Sequence, residues 1–198
     1  MISQQLQSGL PVSDADFDAM YAARLRKLSS IYFTPIEVAK IAAQFLVGQP
    51  GTKVLDIGSG AGKFCMIGSA CTEGHFTGVE FRESLFALSQ RLAERHGFTN
   101  LQFILSNITE VDFSAFDAIY FFNSFYENIA PTNPIDHTTK LDKSLYIKYS
   151  LYVREQLEAM PVGTRLATYF SYLIEVPSSY QPQDIHFDGK LRLWEKTT

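Results

Sequence analysis

The residues with most to say about chemistry sit together in Asp56-Ile57-Gly58-Ser59-Gly60-Ala61-Gly62-Lys63. This run follows a short apolar segment, residues 53–57, and opens a helical one, residues 62–72. Glycines in such a turn let the backbone approach a bound molecule, and the first N–H groups of the helix are free to meet an anion. Two nucleotide patterns fail here. A dinucleotide fingerprint, G-x-G-x-x-G, starts at Gly58 and Gly60 but meets Lys63 where its third glycine belongs. A P-loop, G-x-x-x-x-G-K-[ST], finds Gly62-Lys63, but Ile57 replaces its first glycine and Phe64 its hydroxyl residue. The pattern that remains is D-x-G-x-G-x-G on Asp56, Gly58, Gly60 and Gly62, with Ser59 inside the turn. Glu80 ends the next apolar segment, 20 residues beyond Gly60. An acidic residue at about that distance hydrogen-bonds ribose hydroxyls in Rossmann-type sites.

Two further polar groups follow apolar segments: Ser106-Asn107-Ile108, and Asn123-Ser-Phe-Tyr126. All these positions read as carboxyl ends of parallel strands, where open α/β sheets bind ligands.

The D-x-G-x-G-x-G run resembles motif I of class I methyltransferases, the loop that wraps S-adenosylmethionine. The resemblance implies that Asp56 attracts the cofactor's ammonium, directly or through water, while the amides of Gly58–Gly62, Ser59 included, meet its carboxylate. Glu80 would hold the ribose, Phe81 would lie against the adenine, and Asn107 with Ile108 would read the adenine edge. The end of the fourth strand is where this family places substrate-facing residues. Its amino-methylating members carry [DNS]-P-P-[FYW]; Asn123 and Tyr126 fit the two ends, but Ser124-Phe125 replaces the prolines.

A closer likeness is to the non-SET, disruptor-of-telomeric-silencing type of lysine methyltransferase. That family has an Asn-x-Phe stretch after its fourth strand, as in Asn123-Ser-Phe125. It also has a tyrosine-containing loop before motif I, similar to Tyr32-Phe-Thr-Pro35. The likeness covers roughly residues 30–170, and the family's basic nucleosome-binding tail has no counterpart. Tyr32 and Thr34 would then close the cofactor pocket from the N-terminal side. Methyl transfer is a displacement at a carbon the cofactor has already activated, so the protein aligns reactants and excludes water. Asn123 would accept a hydrogen bond from a target amine or touch the cofactor's methionine end, and Phe125 and Tyr126 would wall the methyl channel. The expected substrate is a small molecule or a protein nitrogen. Two alternatives are a non-catalytic cofactor-binding scaffold and a nicotinamide oxidoreductase; Lys63 at the third glycine position counts against the second.

Composition narrows the field. A net charge of −4 opposes strong nucleic-acid binding, because phosphate contacts supply most of that affinity. No apolar run reaches the ~18 residues of a membrane span. Residues 1–16 have neither a basic start nor an apolar stretch, so they do not read as a signal peptide. Cys65 and Cys71 lie about 600° apart around one helix, unsuited to a local disulfide, which fits the cytoplasm. His75, His96, His137 and His186 are too scattered for a metal site, and His137 reads as a loop residue.

The elements that must position these residues alternate. Residues 13–30 predict one helix capped by Ser13, and a second begins with Thr34 as cap and Glu37 closing a capping box. Strands are expected at 53–57, 75–81, 101–105, 116–122 and 164–170, with helices at 62–72, 83–96 and 141–160. The last of these helices shows an apolar stripe of Leu145, Tyr149, Tyr152 and Leu157. Asp188-Gly189 between alternating segments predicts a hairpin. The segment 171–182, with Pro177 and Pro182, is too short for the helix usual there. Together these describe an α/β, Rossmann-like, mostly parallel sheet with a C-terminal antiparallel hairpin. The expected layout is an N-terminal helical cap over 1–50 on a core over 51–198, one compact domain overall.

Overall fold

The apolar five-residue segments behave as buried parallel strands should, with successive side chains entering opposite layers. The structure is a computed structural model and describes residues 1–130, 134–136 and 139–198. Strands β1 (Lys53–Ile57), β2 (His75–Glu80), β3 (Leu101–Leu105), β4 (Ala118–Phe122) and β5 (Arg165–Tyr169) pair in parallel. β6 (Tyr180–His186) and β7 (Leu191–Lys196) form the antiparallel hairpin. The seven strands lie in the order β3-β2-β1-β4-β5-β7-β6, so β7 enters beside β5 and β6 takes the edge. No helix separates β5 from β6.

Four helices precede β1: α1 (Ile2–Gln7), α2 (Asp14–Asp18), α3 (Ala23–Tyr32) and α4 (Ile36–Leu46). Three more alternate with the strands: α5 (Lys63–Cys71), α6 (Glu83–His96) and α7 (Lys143–Ala159). On one sheet face Val54, Ala118, Tyr120 and Ala167 pack with α4, α5 and the N-terminal residues Leu6, Phe17 and Tyr21. On the other, Leu55, Ile57, Ile119, Phe121 and Leu166 meet Val153 and Leu157 of α7. The N-terminal segment therefore shares one apolar cluster with the sheet.

The structure corrects several expectations. The helix expected over 13–30 is two helices, broken between Asp18 and Ala23 so that Phe17 and Tyr21 both enter the core. Ser13 does cap α2, accepting from the Asp16 N–H. Thr34 does not cap α4: Pro35 holds the cap position, and the Asp14 carboxylate accepts from the Ile36 N–H at 3.0 Å. Glu37 pairs with Lys40 and closes no capping box. β4 begins at Ala118, two residues later than expected. The buried stripe of α7 is Tyr146, Ser150, Val153 and Leu157; of the expected stripe only Leu157 is fully buried. α1 has too little periodicity to be seen in sequence; Leu6 and a Ser3 hydroxyl bond to the His96 carbonyl anchor it. Both cysteines are free. His137 and Pro131 lie outside the described residues.

Candidate active site

Five strands end on the same side, and their loops surround a cleft of about 1150 Å³. A single drug-sized ligand occupies a pocket of roughly 300–1,000 Å³, so there is room for two small molecules.

The glycine loop forms one wall. Gly58, Gly60 and Gly62 all take left-handed φ values of 69°, 56° and 79°, which favour glycine. A Cβ on Gly58 would sit 2.6 Å from that of Ser124, and one on Gly62 would sit 2.5 Å from the Phe103 ring. The loop is therefore held against β4 and β3 by lack of space as well as by backbone conformation. Ser124 tightens the first contact by donating its hydroxyl to the Ile57 carbonyl.

Glu80 comes to this loop from β2. It is buried, and its carboxylate accepts from the Gly60 N–H at 2.9 Å and the Arg82 N–H at 2.8 Å. Burial raises its pKa, and the two N–H bonds and the Arg82 charge partly offset this. Asp56 is also buried, at the end of β1, and its pKa is pushed up to about 7 by burial, with the Cys65 thiol donating to it at 3.4 Å. Asp56 does not line the main cleft. With Thr34, Ser59, Lys63 and Tyr120 it lines a small cavity behind the glycine loop, and Tyr32, Phe33, Gly58 and Phe122 line both spaces. The Thr34 hydroxyl is hydrogen-bonded to the Tyr120 hydroxyl at 2.8 Å.

The main cleft brings together Tyr32, Gly58, Gly60, Glu80, Phe81, Asn107, Ile108, Asn123, Phe125 and Tyr126 among the residues singled out by sequence. Thr34, Asp56 and Ser59 line the small cavity instead, and Gly62 lines neither space. Phe81 is half exposed, with the Arg82 guanidinium 4.9 Å from its ring centre. Asn107 accepts from the Thr109 N–H and donates to the Tyr149 hydroxyl, both at 3.1 Å, which fixes its amide in the wall. Phe125 is buried against Phe121 and Tyr149, so it packs the core while touching the cleft. The ring centres of Tyr126 and Tyr172 lie 6.0 Å apart. The Tyr32 hydroxyl is pushed up to about 12 by burial first and by the nearby Glu127 charge second.

Asn123 is the most unusual of these residues. It has a left-handed φ of 36° at the end of β4, and its Oδ1 is buried with no hydrogen-bond partner. Ser59 Oγ is likewise buried and unpartnered. Buried polar atoms are nearly always satisfied; the Tyr21 hydroxyl is also unpartnered but sits in the apolar core, whereas Asn123 and Ser59 border the two spaces, where a ligand or water atom can meet them. A glycine cradle, an acid on each side of it and two orphaned acceptor oxygens suit an amino-acid-bearing nucleoside. Among the described residues no His, Cys, Asp or Glu cluster is arranged to hold a metal.

Two functional features escaped the sequence reading. The Arg82 guanidinium is buried and binds Glu127 at 2.8 Å, Asp136 at 2.9 Å and the Thr139 hydroxyl at 3.1 Å, tying the segment after β4 to the end of β2. Lys63, noted only as a missing glycine, is 2% exposed and holds Asp14 and Asp18, each at 2.7 Å. Nothing local announces either pairing, since the partners lie 45 to 57 residues away.

Comparison with known proteins agrees with this geometry. Among curated proteins nothing matches the chain. Among solved structures, TrmN from Thermus thermophilus shares 16% identity at a TM-score of 0.59, covering 87% of this chain and 52% of its own. A SAM-dependent methyltransferase from Aquifex aeolicus shares 15% identity at 0.57, covering 95% and 100%. An RNA methyltransferase from Salinibacter ruber, in complex with S-adenosyl-L-homocysteine, shares 16% at 0.52, covering 95% and 94%. The chain spans about half the length of several structures it matches, TrmN included. At such identities these likenesses show a shared Rossmann-like methyltransferase fold. A sequence profile described as a methyltransferase domain matches residues 49–165, from just before β1 to the first residue of β5. The glycine loop, Glu80, Asn107 and Asn123 all fall inside that match, and the chain belongs to the methyltransferase domain family.

Proposed function

We propose that this protein is an S-adenosylmethionine-dependent methyltransferase acting on a nitrogen or another heteroatom of a small-molecule or protein substrate. The observation that carries the reading is the junction of Glu80 with the Gly60 N–H, buried on the wall of a cleft with room for cofactor and acceptor. When bound, the cofactor supplies a methyl carbon made electrophilic by its sulfonium. The protein's residues have simpler tasks. Glu80 keeps lone pairs for ribose hydroxyls after accepting two backbone bonds. The exposed part of Phe81 offers a flat surface to the adenine. Asp56, ionised above about pH 7, attracts an ammonium from behind the loop, directly or through a water in the small cavity. Asn123 Oδ1 accepts an N–H or O–H and so fixes the acceptor or the methionine end.

The finer likeness, to the non-SET lysine methyltransferases, has support from Tyr32 and Asn123-Ser-Phe125, which all line the cleft. Histone specificity is not part of this reading. The family match and an intact set of ligand groups favour an enzyme over a bare scaffold. No helix among the described residues is long and apolar enough to cross a membrane.

Calorimetric titration with S-adenosylmethionine tests this. Saturable micromolar binding is expected, lost in Glu80→Ala and weakened in Glu80→Gln, whose amide NH2 sets a donor against one of the two backbone N–H groups. An absence of heat at millimolar cofactor, in protein that still unfolds cooperatively, would overturn it.

A further inference from the structure

Beyond Asn123 the cleft changes character. Its far side is formed by Tyr126, by Phe170 and Tyr172 after β5, and by the Asp188-Gly189-Lys190 turn of the hairpin. Tyr126, Phe170 and Tyr172 are 37%, 47% and 62% exposed, a cluster of open rings at the mouth of a site. Rings grouped in this way mark a binding surface, while single exposed rings do not. Phe170 also has a left-handed φ of 50°, like Asn123 one strand away. Strained non-glycine backbone persists where the surroundings impose it, and it gathers at ligand sites.

Charge indicates what these rings receive. A cationic acceptor would need a free carboxylate. Glu127 and Asp136 are instead engaged by Arg82, and Glu127 also accepts from the Ile135 N–H. Asp188 also lines the cleft on the hairpin turn, exposed and without an ion pair among the described residues, but Lys190, two residues on, is the charge placed against a ring. Lys190 itself makes no ion pair among the described residues, and its ammonium lies 5.4 Å from the Phe170 ring centre. This end of the cleft therefore offers ring faces with the Lys190 ammonium held against one of them, and an orphaned acceptor, Asn123 Oδ1, deeper in.

We propose that the methyl acceptor is a small planar aromatic molecule bearing an anionic group: its ring against Tyr172 and Tyr126, its anion at Lys190, and an N–H or O–H donor at Asn123. This rests on reading the cleft as a methyl-transfer site. The chain's net charge of −4 disfavours a polymer carrying many phosphates, so the acceptor is a free small molecule. The ring and anion could come from an aromatic carboxylate or from a nucleoside monophosphate, and the test separates these sources.

The test is a set of calorimetric and ligand-observed NMR titrations, run with and without saturating S-adenosylhomocysteine. The probes are anthranilate, cytidine 5′-monophosphate, aniline, 2-aminocyclohexanecarboxylate and Nα-acetyl-lysine methylamide. Anthranilate or the nucleotide should bind, and whichever binds names the source. Aniline, lacking the anion, and the saturated ring acid should bind clearly more weakly. Lys190→Ala should weaken the acid about three- to fivefold, as expected for an exposed ion pair, and leave aniline unchanged. Lys190→Glu should weaken it further, since a like charge then faces the anion. Tyr172→Ala should cost about tenfold through lost stacking. Lys148→Ala, an exposed charge outside the cleft, serves as the control and should change nothing. Equal binding of aniline and anthranilate, insensitivity to Lys190→Ala, tighter binding of the lysine amide, or no binding of either acid would each overturn the proposal. Failure of the cofactor to bind is a separate result that removes the functional reading, and the titrations without it still decide this one.

Discussion

Asp56 shows how a single buried carboxyl ties stability to binding. Its folded pKa of about 7 lies above the ordinary carboxylate value of about 4. Between those values the folded state keeps a proton that the unfolded chain has released. Stability from this group is therefore full below about pH 4 and is lost as pH rises through about 7. An ammonium placed near Asp56 reverses the preference. Cofactor affinity should rise from pH 5.5 to about 7.5, with proton release detectable by calorimetry in buffers of different ionisation heat. Asp56→Asn should flatten both profiles, and an unchanged binding profile would detach Asp56 from the ammonium. Asn123 invites a different measurement. Asn123→Ala should lower kcat by roughly 10²–10³-fold, the loss typical of one catalytic hydrogen bond, with cofactor affinity nearly intact. Asn123→Gly should relieve the strained φ and raise the unfolding midpoint while sharing the loss in kcat. These residues were legible in sequence because each ends an apolar strand, a local signal. Arg82 was not, because its partners Glu127, Asp136 and Thr139 are brought to it by tertiary structure.

Elements hold the site through contacts of very different range. Gly62→Ala would push a Cβ to 2.5 Å from the Phe103 ring while forcing alanine to a φ of 79°. A destabilisation of about 2–4 kcal/mol is expected, readable in urea denaturation. Lys63→Met should behave otherwise. It leaves Asp14 and Asp18 without their cation, but Asp14 is half exposed and can turn to water. The expected cost is about 1–3 kcal/mol, below the ~3–5 kcal/mol of a fully buried pair. Limited proteolysis of the Lys63→Met protein should cut first within residues 8–22, which lose their anchor. Uniform cleavage would show that Phe17 and Tyr21 suffice to hold the segment. The stripe of α7 was misread for a related reason. Ser150 looks like a solvent-facing residue, yet it is fully buried because Glu175 accepts its hydroxyl at 2.9 Å. A periodicity count sees apolar residues and misses a polar pair that is satisfied in the interior.

The sheet depends on segments far apart in sequence. Phe17 and Tyr21 are 0% and 2% exposed and belong to the same apolar cluster as Val54 and Tyr120. Removal of residues 1–32 should therefore abolish cooperative unfolding and expose dye-binding apolar surface; a truncated protein that still melts sharply would make the segment a separable cap. The mostly parallel sheet and its terminal hairpin were legible, since strand–helix alternation and a hairpin turn are local patterns, whereas the order of the strands is set by which of them meet in the fold. The position of β7 between β5 and β6 has a consequence for the protein's history in the cell. A ribosome releases the chain from its N-terminus, and the apolar residues of the first helices emerge long before their neighbours. The strand that closes the sheet, residues 191–196, is made after every other strand and must slot in alongside β5. Until it leaves the exit tunnel, the Trp194 side chain is absent from the core it completes, and one side of β5 lies open to any passing strand. The sheet should therefore close only once residues 191–196 are clear of the exit tunnel, with chaperone contact concentrated in the interval before that.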